Sequence, residues 1–471
     1  MKIVLPSFFS TSLLFLFFYI LPADTFGQLW SWARAAGGKN WEDASAVVAD
    51  DKGNVYAGGY FESQQISFGG VHLTNASSQG TGDIFIVKYD SSGELVWAKS
   101  AGGSYEEKCT SLYVDKDGTL LICGNFSSSN FSLGKFNLIN SGNFGTGEIF
   151  IARLDSSGNF LWAGTIRGEG DDAGYSIKSD ENGWVYVQGE FDGTLYFGKD
   201  TLITREGKNI CLLKLTSDGN PVWARGSQGD GSGSGHSLSL DVSGNLNLTG
   251  SFEGSIFFFG KDSLKNNQPE KQKVFLVKYN SQGQVLWLKG SEGIGNGTAL
   301  STEADDSGNI FITGFFSGTD ISFGKESLIN TTSGGALLFL TKYSPDGKVL
   351  WARIAGGEGF QSGSSMCADT KGNIYLAGNF QGSSIRFGKT NLLNAGISGS
   401  RDIFLAEYDS SGKVVMAESF GGSGDDWVRS VFLDKKNNLY LSGYFRSPSV
   451  SFSGITLNNL YPETPDIFIA K

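Results

Sequence analysis

Residues 46–58 read Ala46-Val47-Val48-Ala49-Asp50-Asp51-Lys52-Gly53-Asn54-Val55-Tyr56-Ala57-Gly58, and residues 84–98 read Ile84-Phe85-Ile86-Val87-Lys88-Tyr89-Asp90-Ser91-Ser92-Gly93-Glu94-Leu95-Val96-Trp97-Ala98. Each stretch is a pair of apolar, β-branched or aromatic runs hinged on an Asp-x-x-Gly turn, the signature of a β-hairpin. The first turn recurs at Gly118, Gly183, Gly244, Gly308 and Gly372, and then as Asn437. Gly and Asn are the residues that take a positive φ at little cost, so one position specifies the turn by its chemistry. Before the turn, Val47 and Ala49 and their counterparts are mostly apolar. The position between them runs Val48, Tyr113, Lys178, Ser239, Glu303, Cys367, Phe432, with no common character. That is period-two patterning, hence β-strand.

Moving outward, a Trp recurs at 32, 97, 162, 223, 287 and 351, followed by Ala in all but Trp287-Leu288, and Met416-Ala417 takes that place once more. The spacings of 65, 65, 61, 64, 64 and 65 residues identify one unit repeated seven times. The second strand of the first hairpin ends in Gly-x-Phe in every copy, from Gly59/Phe61 to Gly443/Phe445. The Gly is read as permitting close backbone approach and the Phe as filling space between neighbouring units. A Phe-Gly-Lys-x-x-Leu block, as at Phe323–Leu328, marks a small excursion before the second hairpin. Four strands per repeat of about 64 residues, with no helical periodicity, give an all-β fold: a seven-bladed β-propeller with four-stranded blades.

The ends count the same way. The seventh copy stops at its third strand, Asp466–Lys471, while the chain after residue 27 opens on a fourth strand without a third, Leu29–Arg34. The N-terminal strand is therefore expected to complete the last blade and close the ring, leaving no free edge. The domain reading is residues 1–27 as a signal peptide and 28–471 as the propeller. Lys2 precedes the apolar run Leu13–Leu21, and Thr25 and Gly27 stand at −3 and −1 of a cut before Gln28.

The blocks Asp-x-x-Gly-Asn-x-Tyr-x-x-Gly and Asp-Ile-Phe-Ile-x-Lys-Tyr-Asp-Ser-Ser-Gly-x-x-x-Trp-Ala-x-x-x-Gly-Gly resemble the bacterial SBBP (seven-bladed β-propeller) repeat. The resemblance covers residues 29 to 471. It implies a secreted or cell-envelope bacterial protein and names no activity.

Composition agrees with short strands and many tight turns: 67 Gly, 13% aromatic residues and 8 Pro. The net charge of −11 repels phosphate backbones, so nucleic acid is not an expected partner. After signal removal no segment is apolar enough to span a membrane.

Chemistry is sparse. The two His, His72 and His236, are too few for a polyhistidine metal site, and no Gly-x-Ser-x-Gly elbow marks a nucleophile; no catalytic residue and no bound cofactor is assigned. Acids cluster between the fourth strand of one repeat and the first of the next, including Asp171, Asp172, Asp425 and Asp426. In a propeller such loops converge on one face, so these four are the candidate Ca²⁺ ligands, against the plainer reading of solvated loop tips. Cys109 and Cys123 flank one hairpin turn almost symmetrically and are candidates for a disulfide, against two free buried thiols. Cys211 and Cys367 read as small apolar strand residues. The expectation is a non-catalytic monomeric scaffold binding a protein or glycan at the cell surface. The alternatives are an extracellular polysaccharide lyase or hydrolase with an axial pocket, and a purely structural surface module.

Overall fold

A computed structural model describes residues 30–142, 145–204, 206–332, 334–396 and 399–471. The segment read as a signal peptide lies outside the described residues. No helix occurs among the described residues, so none is long and apolar enough to cross a membrane.

Seven antiparallel four-stranded blades stand around an axis, each with a two-stranded outer hairpin between its second and third strands, and two of these hairpins extend the sheet of the preceding blade to six strands. Blade 1 is representative, with strands Glu42–Ala49, Val55–Phe61, Asp83–Tyr89 and Leu95–Ala101 paired in that order. Blades 2 to 6 begin at Glu107, Ala173, Gly233, Asn296 and Gln361. The first strand of every blade is innermost, since a single central cavity is lined by residues from all seven. Third strands are buried end to end, and fourth strands form the half-exposed rim.

The last blade consists of Asp426–Leu433, Leu439–Phe445, Asp466–Ala470 and, as its outer strand, Ala33–Ala36 from the N-terminus. Ala33 lies opposite Ala470 and Ala36 opposite Ile467. This is the register of blade 1, where Ala98 meets Val87 and Ala101 meets Ile84. The ladder is shifted toward Ala36 relative to the expected Leu29–Arg34, and the Ser31 amide donates to the Lys471 carbonyl at 2.6 Å just ahead of it; in blade 1 the fourth strand starts at Leu95, with a register break between Lys88 and Tyr89. Leu29 lies outside the described residues.

The recurrent Gly-x-Phe has a double cause. Each first strand carries a β-bulge opposite the Gly, for example between Cys109 and Ser111. The bulge pushes a carbonyl against the facing backbone: a Cβ added at Gly59, Gly124 or Gly443 would lie 1.8, 1.8 or 2.0 Å from the oxygens of Asp43, Lys108 and Trp427. The Phe two residues on is buried in all seven blades. It belongs to aromatic and aliphatic layers such as Phe126, Phe131 and Phe150, where edge-on and tilted ring contacts fill the sheet face.

A second repeated device joins the blades at the Asp-x-x-Gly turns. Trp97 Nε1 and Lys88 Nζ of blade 1 both donate to the carbonyl of Ser156 in the outer turn of blade 2, at 3.2 and 2.8 Å. Trp162 and Arg153 repeat this on Ser217, Trp287 and Lys278 on Pro345, and Trp351 and Lys342 on Ser410. The ring-closing strand does the same, since Trp32 and Lys471 both donate to Ser91. Blade 3 keeps only the cation, with Lys214 donating to Ser281 and Trp223 Nε1 without a partner, and blade 6 has Met416 and Glu407 at these positions. Its neighbour is blade 7, whose two outer strands come from opposite ends of the chain, so no turn joins them and no turn carbonyl is available there.

Cys109 and Cys123 are not bridged; all four cysteines are free buried thiols. The bulge sets Cys109 opposite Gly124 and Ser111 opposite Cys123. Cys109 therefore packs with Ala46, Ile84 and Ile122 toward blade 1, and Cys123 with Ile149 and Ile177 toward blade 3. Thiols on opposite faces of one sheet cannot close a disulfide without moving backbone.

Candidate functional site

The bulge decides what reaches the channel. An extra residue in one strand turns a side chain out of the alternating pattern, and here the extra residue varies from blade to blade, only the serine recurring: Ser45, Thr110, Tyr175, His236, Leu300, Ser364 and Arg429. All seven line one central cavity of about 390 Å³. Val48, Tyr113, Lys178, Glu303, Cys367 and Phe432, the variable positions inside otherwise regular strands, line it further along. Their lack of common character was the sequence signal for a channel wall.

The mouth of the channel is formed by the loops that join each fourth strand to the next first strand, and it is polarised. Over blades 6, 7 and 1, Arg429 forms a two-pronged pair with Asp43 across the closing junction, at 2.9 Å from Nε and 2.7 Å from Nη2. Its guanidinium carbon lies 5.5 Å over Trp427 and 5.3 Å over Tyr444. Arg401 covers Trp427 at 4.8 Å and Arg446 covers Trp41 at 5.9 Å. Trp427 and Tyr444 are stacked, and Trp41 meets Tyr444 edge-on at 5.2 Å. Trp41, Trp427, Arg401 and Arg446 are half-buried, and Arg429 is exposed.

The opposite side of the mouth, over blades 3 and 4, carries a different set. Burial lowers His236 to about 4, so the imidazole is neutral at ordinary pH. Burial, then the nearby Glu190 carboxylate, raises the Tyr175 phenol well above its usual value. Glu190 accepts a short hydrogen bond from Ser234. His72 sits exposed on the outer hairpin of blade 1, away from this group.

The candidate calcium ligands are not gathered at one point. Asp171 is ion-paired to Lys208 at 2.5 Å and accepts from the Gly147 amide. Asp425 accepts from the Arg401 amide at 3.0 Å. Asp172 and Asp426 turn inward and are fully buried between blades. Among the described residues no group of three or more His, Cys, Asp or Glu is placed to hold a metal ion.

The buried acids belong instead to a pattern the sequence did not reveal. At four junctions, a third-strand carboxyl of one blade faces a carboxyl at the start of the first strand of the next: Asp83 and Glu107, Glu148 and Asp172 (one residue before its strand), Asp402 and Asp426, Asp466 and Glu42. Burial and then the facing carboxylate, against opposing hydrogen bonds, raise Glu42 to about 8 and Glu107, Asp172 and Asp426 to about 7. Burial raises Asp83, Asp402 and Asp466 to about 6. One oxygen of each of Asp83, Asp172, Asp402 and Asp466 has no hydrogen-bond partner. The glycines of the Gly-Gly pair make the room, since a Cβ at Gly37 or Gly102 would lie within 2 Å of Asp466 or Asp83. The remaining junctions carry Asn209 with Gly233, Lys273 with Gly297, and Leu337 with Gln361. Lys273 donates to the carbonyls of Gly293 and Gly295 at 2.7 and 3.1 Å.

No family model matches the chain. It is 22% identical over 89% of its length to an uncharacterized WD repeat-containing protein, L264, of Acanthamoeba polyphaga mimivirus, of which the match covers 36%. It is 28% identical over 30% of its length to the regulatory protein FlaEY of Caulobacter vibrioides, of which the match covers 15%. The chain thus spans about a third or less of these curated relatives. Among solved structures, a polysaccharide lyase of family PL25 described as an ulvan lyase aligns over 87% of this chain and 93% of its own, at 9% identity and a TM-score of 0.44. The WD40 domain of Neurospora crassa Pan2 aligns over 77% and 88%, at 8% identity and a TM-score of 0.31. These likenesses concern the propeller fold.

Proposed function

We propose that this protein is a secreted or cell-surface bacterial binding propeller, monomeric and non-catalytic, which holds a protein or glycan ligand on the loop face around the channel mouth. The observation that carries the reading is the bulge ring. One structurally equivalent position presents six kinds of side chain in seven blades to a shared cavity, while the strands bearing them repeat closely. A purely structural ring has no need of that variety, whereas a rigid frame presenting varied side chains is the usual arrangement for recognition. The surface assignment rests on the apolar leader and on the resemblance to the SBBP repeat.

The test is a glycan and cell-wall array probed with the full chain, with and without Ca²⁺. Specific ligands are expected, lost on substitution at the loop face and kept on substitution at the Asp-x-x-Gly turns. Binding that followed the turn face would refute the assignment.

A second reading is favoured by one feature, the neutral His236 and Tyr175 lining the same channel. A neutral imidazole can take up a proton and a phenol held protonated can give one, the two proton transfers of a lyase. Incubation with uronate polymers, followed by ultraviolet absorbance of unsaturated products, tests it. Activity abolished by H236A would replace the scaffold reading.

A further inference from the structure

We propose that the facet over blades 6, 7 and 1 is a binding site for an anionic saccharide chain, with Arg401 and Arg446 taking carboxylates and Trp427 and Trp41 lying against sugar rings. This rests on the binding-propeller reading and adds the ligand class and the place.

The facet departs from the repeat. At the position of Trp427 the other blades have Asp43, Lys108, Ala173, Ser234, Thr298 and Ser362. Among the described residues, no other junction combines two indoles with three guanidiniums. The charges are also differently committed. Arg429 is held by Asp43, but among the described residues neither Arg401 nor Arg446 is ion-paired to a carboxylate. Arg446 donates to the Glu463 carbonyl at 3.0 Å, Arg401 Nε is without a partner, and Asp425 takes the Arg401 amide rather than its guanidinium. In a chain with 48 acidic and 37 basic residues, two guanidiniums left without a carboxylate at one place are a local reversal of the overall sign.

The ligand class follows from the geometry. A guanidinium is a planar fork matched to a carboxylate, and it stays effective when stacked on an aromatic ring. Indole faces offer apolar area at low entropic cost to the C–H face of a pyranose. Alternation of the two suits a chain in which each ring carries an acidic group, as in a polyuronate. An acidic peptide would satisfy the arginines but leave the Trp faces without a flat partner. Nucleic acid also alternates charge and ring, but its dense phosphates would meet the net charge of −11.

The experiment is calorimetry of the full chain with polygalacturonate oligomers, their methyl esters and polyglutamate at equal ionic strength. The methyl ester keeps the sugar rings and removes the charge; polyglutamate keeps the charge and removes the rings. Polygalacturonate alone is expected to bind well; R401Q/R446Q is expected to weaken it by ~10-fold or more with the melting temperature unchanged, and W427A to weaken it as much with some loss of stability from the Tyr444 stack. Equal binding of the methyl ester, equal binding of polyglutamate, or wild-type affinity in R401Q/R446Q would each overturn the proposal. If no polygalacturonate binds while the array yields another ligand sensitive to other loop-face variants, this site assignment fails and the binding-propeller reading stands. If the array ligands depend on the turn face, both fail.

Discussion

The two faces of this ring are built on opposite rules. On the turn face, junction after junction is held by one device, a Trp and a Lys or Arg donating to one carbonyl of the next blade. Several of those cations also form buried pairs with the turn aspartates, as in Arg153 with Asp115 and Lys278 with Asp241. On the loop face, the junctions differ: carboxyl pairs in an unbroken arc from blade 6 through 7, 1 and 2 to 3, then amide, ammonium and aliphatic contacts around the rest. Uniformity on one face and individuality on the other show where the ring is held together and where it is free to specialise.

The largest effect should come from breaking the turn-face rule at the closure. Removing residues 28–36 deletes Trp32 and the buried Trp30, which packs on Phe420 and Phe452. Loss of even one large buried aromatic costs roughly 3–5 kcal/mol, and the freed edge of Asp466–Ala470 should recruit a second molecule. A monomer with unchanged melting temperature would contradict this.

The next effect belongs to the loop face. Carboxyls whose folded values are raised bind more protons folded than unfolded, so their stabilising effect is full below about pH 4 and is lost as pH rises through the folded values of 6 to 8. At fixed ionic strength the melting temperature should therefore fall between pH 5 and 8. The triple variant D83N/D402N/D466N should flatten the profile. A profile that rises over this range would remove the carboxyl-pair account.

These two regions were unequally legible. The turns, the Gly-x-Phe and the closing strand could be read because each is a local requirement, of φ, of close approach or of strand count. Asn437 does adopt a positive φ of 61°, in place of glycine. The carboxyl pairs could not be read, because their partners are 24 residues apart in three pairs and stand near opposite ends of the sequence in the fourth, and meet only when two blades pack. Asp172 and Asp426 looked like solvated loop tips and proved buried, whereas Arg401 and Arg446 carried no sequence signal. Cys109 and Cys123 misled for a related reason: a one-residue bulge changes the face a side chain takes, and nothing local in 109–123 announces the bulge. The varied bulge residues were the available clue to the channel.

Smaller effects sharpen the contrast. W97F keeps the ring but removes the donor to Ser156, and should cost about 1 kcal/mol by denaturant titration. M416W should gain nothing, because blade 7 offers no turn carbonyl; a clear gain would undo the explanation of that exception. On the loop face, S45A and S364A should stay within ~0.5 kcal/mol of the parent, and a larger loss would mean that the bulge ring is structural.

The central claim is that the N-terminal strand is an integral part of the seventh blade. Hydrogen exchange followed by mass spectrometry reports on it directly, since ladder amides in Ala33–Ala36 have their partners in Ile467–Ala470. The peptide spanning 32–37 should be protected as strongly as the one spanning 97–102 of blade 1. Exchange of 32–37 at the rate of an open loop, with 97–102 still protected, would contradict ring closure.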